Sequence, residues 1–107
     1  MTQVKLVKLK LKEGNEQIWL DWCEELKQRK NEVIETLKNE GVLSESCFLS
    51  EDEKCIYYFM EAENFEKAKS SVEKSNFKID AEHKKKRALS LEKVAQLKEL
   101  FHFENRS

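Results

Sequence analysis

The chain has 107 residues, enough for one compact domain and too few for two. Hydrophobic residues make up 39% and charged residues 38%, with 20 Lys and Arg set against 21 Asp and Glu for a net charge of −1. That balance excludes a general electrostatic pull toward nucleic acid or an anionic membrane. Mean hydropathy is low at −0.76, yet the apolar residues recur with clear periods, so a folded domain is expected.

The first strand is predicted over Gln3–Lys12, with Val7, Leu9 and Leu11 on one face and Val4 and Leu6 on the other. Gly14-Asn15 ends it, and Asn15 is a good N-cap. A long unbroken helix is predicted from Glu16 to Glu40. Trp19, Trp22, Leu26, Val33 and Leu37 form its apolar stripe, and Gly41 stands where a left-handed cap belongs. The second strand covers Val42–Ser50, with Leu43, Glu45, Cys47 and Leu49 sharing a face. After an acidic turn, the third strand covers Lys54–Ala62, with Ile56, Tyr58 and Met60 on one face and Cys55, Tyr57 and Phe59 on the other. A strand apolar on both faces reads as covered on both sides.

Asn64 can cap a second helix carrying Phe65, Ala68 and Val72 inward. Residues 76–79 read as a connection. Asp80 can cap a short helix through about Leu91, which carries the basic run Lys84–Arg87. A last strand is predicted over Gln96–Glu104, where Leu97, Phe101 and Phe103 alternate with other residues. Residues 105–107 read as a frayed tail.

These elements describe an α+β domain spanning residues 1–107. It is a ferredoxin-like βαββαβ sandwich with an extra short helix before the last strand. Two helices cover one face of such a sheet. The other face would show Val4, Leu6, Phe48 and half of the third strand, a larger apolar patch than monomers usually expose. A homodimer of the dimeric α/β-barrel type would bury it.

Four segments carry a resemblance across nearly the whole chain: Trp19-Leu20-Asp21-Trp22 with Glu25-Leu26, Glu45 to Leu49, Tyr57 to Glu63, and Ile79 to Lys84. In these the chain resembles a small uncharacterised bacterial family of ferredoxin-like proteins, a domain of unknown function. The family looks like a member of the dimeric α/β-barrel group. That group holds cofactor-free monooxygenases, sugar mutarotases, haem-degrading enzymes and non-catalytic ligand binders, so the resemblance implies assembly more than chemistry.

His83 and Glu45 are the candidate catalytic pair. A histidine near a helix N-terminus is held neutral and can take a proton. A carboxyl group on a covered sheet face is raised in pKa and suits acid or base work. The plainer readings are a surface histidine beside lysines and a solvated carboxylate at the sheet edge. Tyr58, Tyr57 and Trp22 are candidate ligand-binding walls, with core packing the plainer reading for Trp22. Adjacent strand residues point oppositely, so only one tyrosine faces the helices. Cys47 is a further candidate contact, though a small buried hydrophobe is the simpler account.

Cys23, Cys47 and Cys55 are odd in number and lack metal-ligand spacing. His102 has no partner in sequence. No metal and no cofactor are expected, and no nucleic acid or membrane partner. Without a signal-peptide core or an apolar run of about 20 residues, a reduced cytoplasmic protein is expected. The function read from the chain is a homodimer binding a small metabolite, as a proton-transfer isomerase, mutarotase or lyase. The alternative is a non-catalytic dimeric ligand-sensing or protein-interaction module.

Overall fold

The computed structural model describes residues 1–106. Four strands, β1 (Gln3–Leu11), β2 (Val42–Ser50), β3 (Cys55–Ala62) and β4 (Leu91–Gln96), form one open antiparallel sheet in the order β2-β3-β1-β4. Four helices complete an α+β fold: α1 (Glu16–Gln28), α2 (Lys30–Glu40), α3 (Phe65–Glu73) and α4 (Lys78–Ser90).

Strand register decides which side chains meet the helices. Lys5, Met60 and Glu45 lie abreast across β1, β3 and β2. Val7, Tyr58 and Cys47 form the next row, and Leu9, Ile56 and Leu49 the one after. The main core gathers Val7, Leu9, Leu11 and Ile56 from this face under Trp19 and Trp22 of α1 and Ile79 of α4, closed by Leu91. A smaller cluster of Val42, Ala62 and Ala68 seats α3 at the far end. The polar row of Lys5 and Glu45 lies between the two clusters, and that interruption of the apolar surface makes room for a site.

The long first helix is broken. Arg29 leaves helical geometry (φ −109°, ψ 35°), its N–H still bonding the carbonyls of Glu25 and Leu26. Its guanidinium binds Glu25, Glu32 and, across the layer, Glu82 of α4. The break turns α2 over the sheet without glycine or proline, so no local signal announces it. Gly41 ends α2 in the left-handed conformation (φ 72°), and its carbonyl accepts the Glu63 N–H, tying the helix end to the end of β3.

Other boundaries also differ from the sequence pattern. A bulge between Val42 and Ser44 brings Val42 onto the helix face with Glu45, and Leu43 is left 49% exposed. Asn15 sits at the N-cap of α1 but gives its amide to the Leu89 carbonyl rather than capping. Asn64 does cap α3, accepting from the Lys67 N–H, yet Val72 faces outward at 45% exposure. Helix α4 begins at Lys78 with Phe77 at its cap, so Asp80 lies inside the first turn. It also ends one residue before β4 begins, because Ser90 folds its hydroxyl back to the Lys86 carbonyl while its own carbonyl accepts the Lys12 N–H. The last strand is therefore Leu91–Gln96 rather than Gln96–Glu104. The alternation at Leu97, Phe101 and Phe103 belongs to an outlying segment that follows β1 through one bond, from the Leu97 N–H to the Leu6 carbonyl.

Two residues near the end of that segment are tied to the sheet. Glu104 accepts the Thr2 N–H, and Arg106 binds Glu61 and Glu104. Ser107 lies outside the described residues. Among the described residues no helix is long and apolar enough to cross a membrane.

Ile56, 1% exposed at the centre of the core, gives a direct check on this packing. Ile56→Ala is expected to lower unfolding free energy by about 2–5 kcal/mol in urea titrations. A loss below about 1 kcal/mol would show that the α1–sheet contact is not the main core.

Candidate functional site

A cleft of about 500 Å³ opens between α3, α4 and the β2–β3 end of the sheet. Glu40 at the end of α2 and Glu45 of β2 line it, with Tyr58 and Met60 from β3 and Asp80, His83, Lys84 and Arg87 from α4. A narrower extension of about 70 Å³ runs between α2 and α4, past Leu26, Val33, Thr36 and Leu37.

The geometry begins at Trp22. This residue is 2% exposed, and its indole N–H donates to His83 Nδ1 at 2.8 Å. An indole nitrogen can only donate, so Nδ1 carries the lone pair and the proton of the neutral ring is on Nε2. Nε2 lies 3.5 Å from the Tyr58 hydroxyl, and Glu45 lines the same cleft beside Tyr58. The chain of donors therefore runs from Trp22 through His83 to the Tyr58 oxygen. Trp19 and Trp22 pack against the His83 ring with centroids 5.6 and 6.0 Å away.

Burial and charge set the titration of each member. The His83 pKa falls to about 4, first through burial and then through the nearby Arg87 cation. His83 lies in the second turn of α4, so burial and Arg87 hold it neutral rather than a helix end. Burial also raises Glu45 above the ordinary carboxylate range, partly offset by the neighbouring Tyr58 hydroxyl and by Arg87. Tyr58 is pushed well up by burial and by Glu45, and stays a donor.

A second carboxyl group completes the site. Glu40 is only 8% exposed, and burial together with Asp80 and Glu45 raises its pKa to about 7. Thr36 lies 2.7 Å from both oxygens of Asp80 and 3.3 Å from Glu40. A hydroxyl has one hydrogen, and the two short contacts to Asp80 claim it. The longer contact leaves the Thr36 oxygen free to accept a proton carried by Glu40. Asp80 also accepts from Ser75 at 2.5 Å. The cleft thus holds Asp80 with its two hydroxyl partners, two carboxyl groups raised above the ordinary carboxylate range, a phenol, and Arg87 and Lys84.

Three of the residues singled out in sequence, His83, Glu45 and Tyr58, line this one cleft. Trp22 stands behind His83 and orients it. Tyr57 points to the opposite sheet face, where its hydroxyl donates to Glu53 at 2.8 Å, and register excludes it from the cleft. Cys47 shares the helix face but lies one row away, near Trp19 and Cys23. Sequence reasoning missed Glu40, Thr36 and Arg87 and gave Asp80 only a capping role. Glu40 carried a signal: a carboxylate as the last residue of a helix opposes the helix dipole.

His102 is remote from the cleft. It clusters with Glu61 and Glu104 within 4.8 Å. Those carboxylates are already held by Thr2, Ser44 and Arg106, and Glu61 is drawn down to about 2 by Arg106 first of all.

The chain belongs to the family of unknown function DUF6176, whose match covers residues 2–105. No curated protein matches it.

Glu40 and His83 are expected to tilt stability with pH in opposite directions. Between its usual 4.5 and about 7, Glu40 keeps a proton in the folded chain that the unfolded chain releases, so stability falls as pH rises through that window. Between its usual 6.5 and about 4, His83 refuses a proton that the unfolded chain accepts, so stability falls as pH drops. Glu40→Gln is then expected to exceed wild type by about 1–2 kcal/mol at pH 8, after discounting for solvent screening, with the gain vanishing near pH 4. Urea unfolding across pH measures it. A difference independent of pH would overturn the titration assigned to Glu40.

Proposed function

We propose that the protein binds a small polar metabolite in this cleft and moves a proton on it, as an isomerase, mutarotase or lyase does. The observation that carries the proposal is the pairing of Glu45 and Glu40 in one cleft beside the Tyr58 hydroxyl, both carboxyl groups raised above the ordinary carboxylate range and Glu40 to about 7. Acid–base chemistry at neutral pH needs groups tuned in that way. Glu45, beside the Tyr58 hydroxyl in the cleft, acts as the base. Glu40, half protonated near pH 7, acts as the acid. Tyr58 donates to the oxygen on which charge develops. His83 is a positioning residue, since its Nδ1 lone pair is taken by Trp22 and its Nε2 proton faces Tyr58. Arg87 and Lys84 favour a ligand with an anionic or oxygen-rich end.

We further propose a ferredoxin-like sandwich that assembles as a homodimer through the open sheet face, in the manner of dimeric α/β barrels. The strand order, the antiparallel pairing, and the helices placed between β1 and β2 and between β3 and β4 support the first part. Support for the second comes from Val4, Leu6 and Phe59, incompletely buried on that face, beside Phe48 at 60% exposure. A cytoplasmic setting is consistent with three unpaired cysteines.

A non-catalytic sensing or interaction module is the second reading. It is favoured by the stacked pair Phe101–Phe103, with centroids 5.0 Å apart and both rings largely exposed.

Thermal-shift screening against sugars, organic acids and nucleotides, followed by deuterium exchange from heavy water into each hit, separates these readings. The expected outcome is a stabilising ligand that acquires deuterium. Exchange should fall at least about 100-fold in Glu45→Gln, with binding retained. In Tyr58→Phe it should fall about 10-fold or more. Binding without exchange would establish the sensing module instead. For assembly, Phe48→Glu is expected to convert a dimer to a monomer in sedimentation, and a wild-type monomer would end the dimer proposal.

A further inference from the structure

Cys23 and Cys47 come from distant parts of the chain and meet at the α1–β2 contact. Cys23 lies one helical turn after Trp19 on α1, so both project from the same face of that helix. Cys47 stands directly opposite Tyr58 across β2 and β3, and Trp19 lies over Tyr58 with ring centroids 6.4 Å apart. The two thiols are neighbours, each the largest influence on the other's titration. Cys47 is exposed, Cys23 is half-buried, and both are free.

A second observation points to the same sulfur. Trp19 is 1% exposed, yet its indole N–H is the one buried side-chain polar atom among the described residues without a hydrogen-bond partner. Leaving such a donor unmatched is costly. Cys47 is the nearby sulfur, and Trp19 favours its thiolate without making a hydrogen bond to it. A neutral thiol accepts weakly and a thiolate well. Cys23 and Trp19 thus both favour the Cys47 thiolate against the cost of its burial, while Cys47 raises the pKa of Cys23.

We propose that Cys47 and Cys23 form a peroxide-reactive dithiol, with Cys47 the attacking sulfur and Cys23 the resolving one. The Cys47 thiolate attacks one oxygen of a hydroperoxide. An S–O bond forms and the O–O bond breaks, leaving Cys47 as sulfenic acid while the departing oxygen takes up a proton as water or an alcohol. Cys23 then attacks the Cys47 sulfur. The S–S bond forms, the S–O bond breaks, and the hydroxyl leaves with the Cys23 proton as water. Two thiols are oxidised and one peroxide is reduced. Exposure suits Cys47 to the first step, and Cys23 is held beside it for the second. This site is separate from the proton-transfer cleft, and Cys47 lies on the helix side of the sheet, so pairing of the open faces leaves it accessible. Cys55, buried with its thiol on the Glu53 carbonyl, is the internal control.

The test adds hydrogen peroxide to the reduced full-length protein, quenches with an alkylating reagent over time, and weighs peptides from a non-reducing digest. The expected product is an intrachain Cys23–Cys47 peptide, forming at least about tenfold faster than Cys55 loses its thiol. Cys23→Ser should stop at a Cys47 sulfenic acid captured by dimedone. Cys47→Ser should leave Cys23 unreactive. Trp19→Phe, which keeps a ring and removes the N–H, should slow Cys47 oxidation severalfold, with circular dichroism confirming the fold. Oxidation of Cys47 no faster than Cys55, or a disulfide formed only between chains, would overturn the proposal.

Discussion

The hydrogen bond from Trp22 to His83 governs the arrangement around it. It joins α1 to α4 above the sheet, and it fixes the tautomer of the only histidine in the cleft. Because an indole cannot accept, the imidazole has no choice about which nitrogen holds its proton. Tyr58 therefore meets a donor on its His83 side, and its own hydrogen is left for another partner in the cleft. One apolar core residue thus sets the polarity of a three-member chain. Protonating His83 would break the bond to Trp22, since both nitrogens would then be donors. Burial and Arg87 act in the same direction by keeping the ring neutral.

The carboxyl groups are sorted by their partners. Glu61, on the open face, has Arg106, Thr2 and Ser44 and is held ionised. Asp80 has two hydroxyl donors, from Thr36 and Ser75. Glu40 has only the remaining weak side of Thr36, and Asp80 and Glu45 both act against its ionisation. A stability-driven sequence would place an uncharged residue there. Retaining a half-titrating acid at a helix end costs stability, as functional sites commonly do.

Much of this was legible in the chain. The alternation of Val7, Leu9 and Leu11 and the span of β2 were readable because a half-buried strand has a strict period of two. His83 and Glu45 stood out because of their chemistry and their neighbours. Three features were hidden for physical reasons. The break at Arg29 rests on an ion pair with Glu82, 53 residues away, and no local propensity records such a contact. The bulge at Val42–Ser44 changes which residues share a face without changing the strand's composition. The last strand was misplaced because α4 passes into β4 with no glycine or turn residue between them, while the aromatic alternation beyond Gln96 imitates a strand that lacks a continuous ladder.

The two faces of the sheet divide the work. On the helix side, the row of Lys5, Met60 and Glu45 separates two apolar clusters, so the helices cannot close fully over it and a cleft remains. Filling that row with aliphatic residues would merge the clusters and erase the cleft. On the open side, Glu61 ties down Arg106 and Thr2, which leads the chain's end back along β1 and over the sheet margin. The aromatic pair Phe101–Phe103 is thereby held at the border of the open face rather than left to swing free. An apolar face bordered by an anchored aromatic segment is a continuous surface that a second copy of the chain can cover. The cleft lies on the helix side of the sheet, so a dimer paired through the open face would stabilise the sheet that carries Glu45 and Tyr58 without supplying residues to the site.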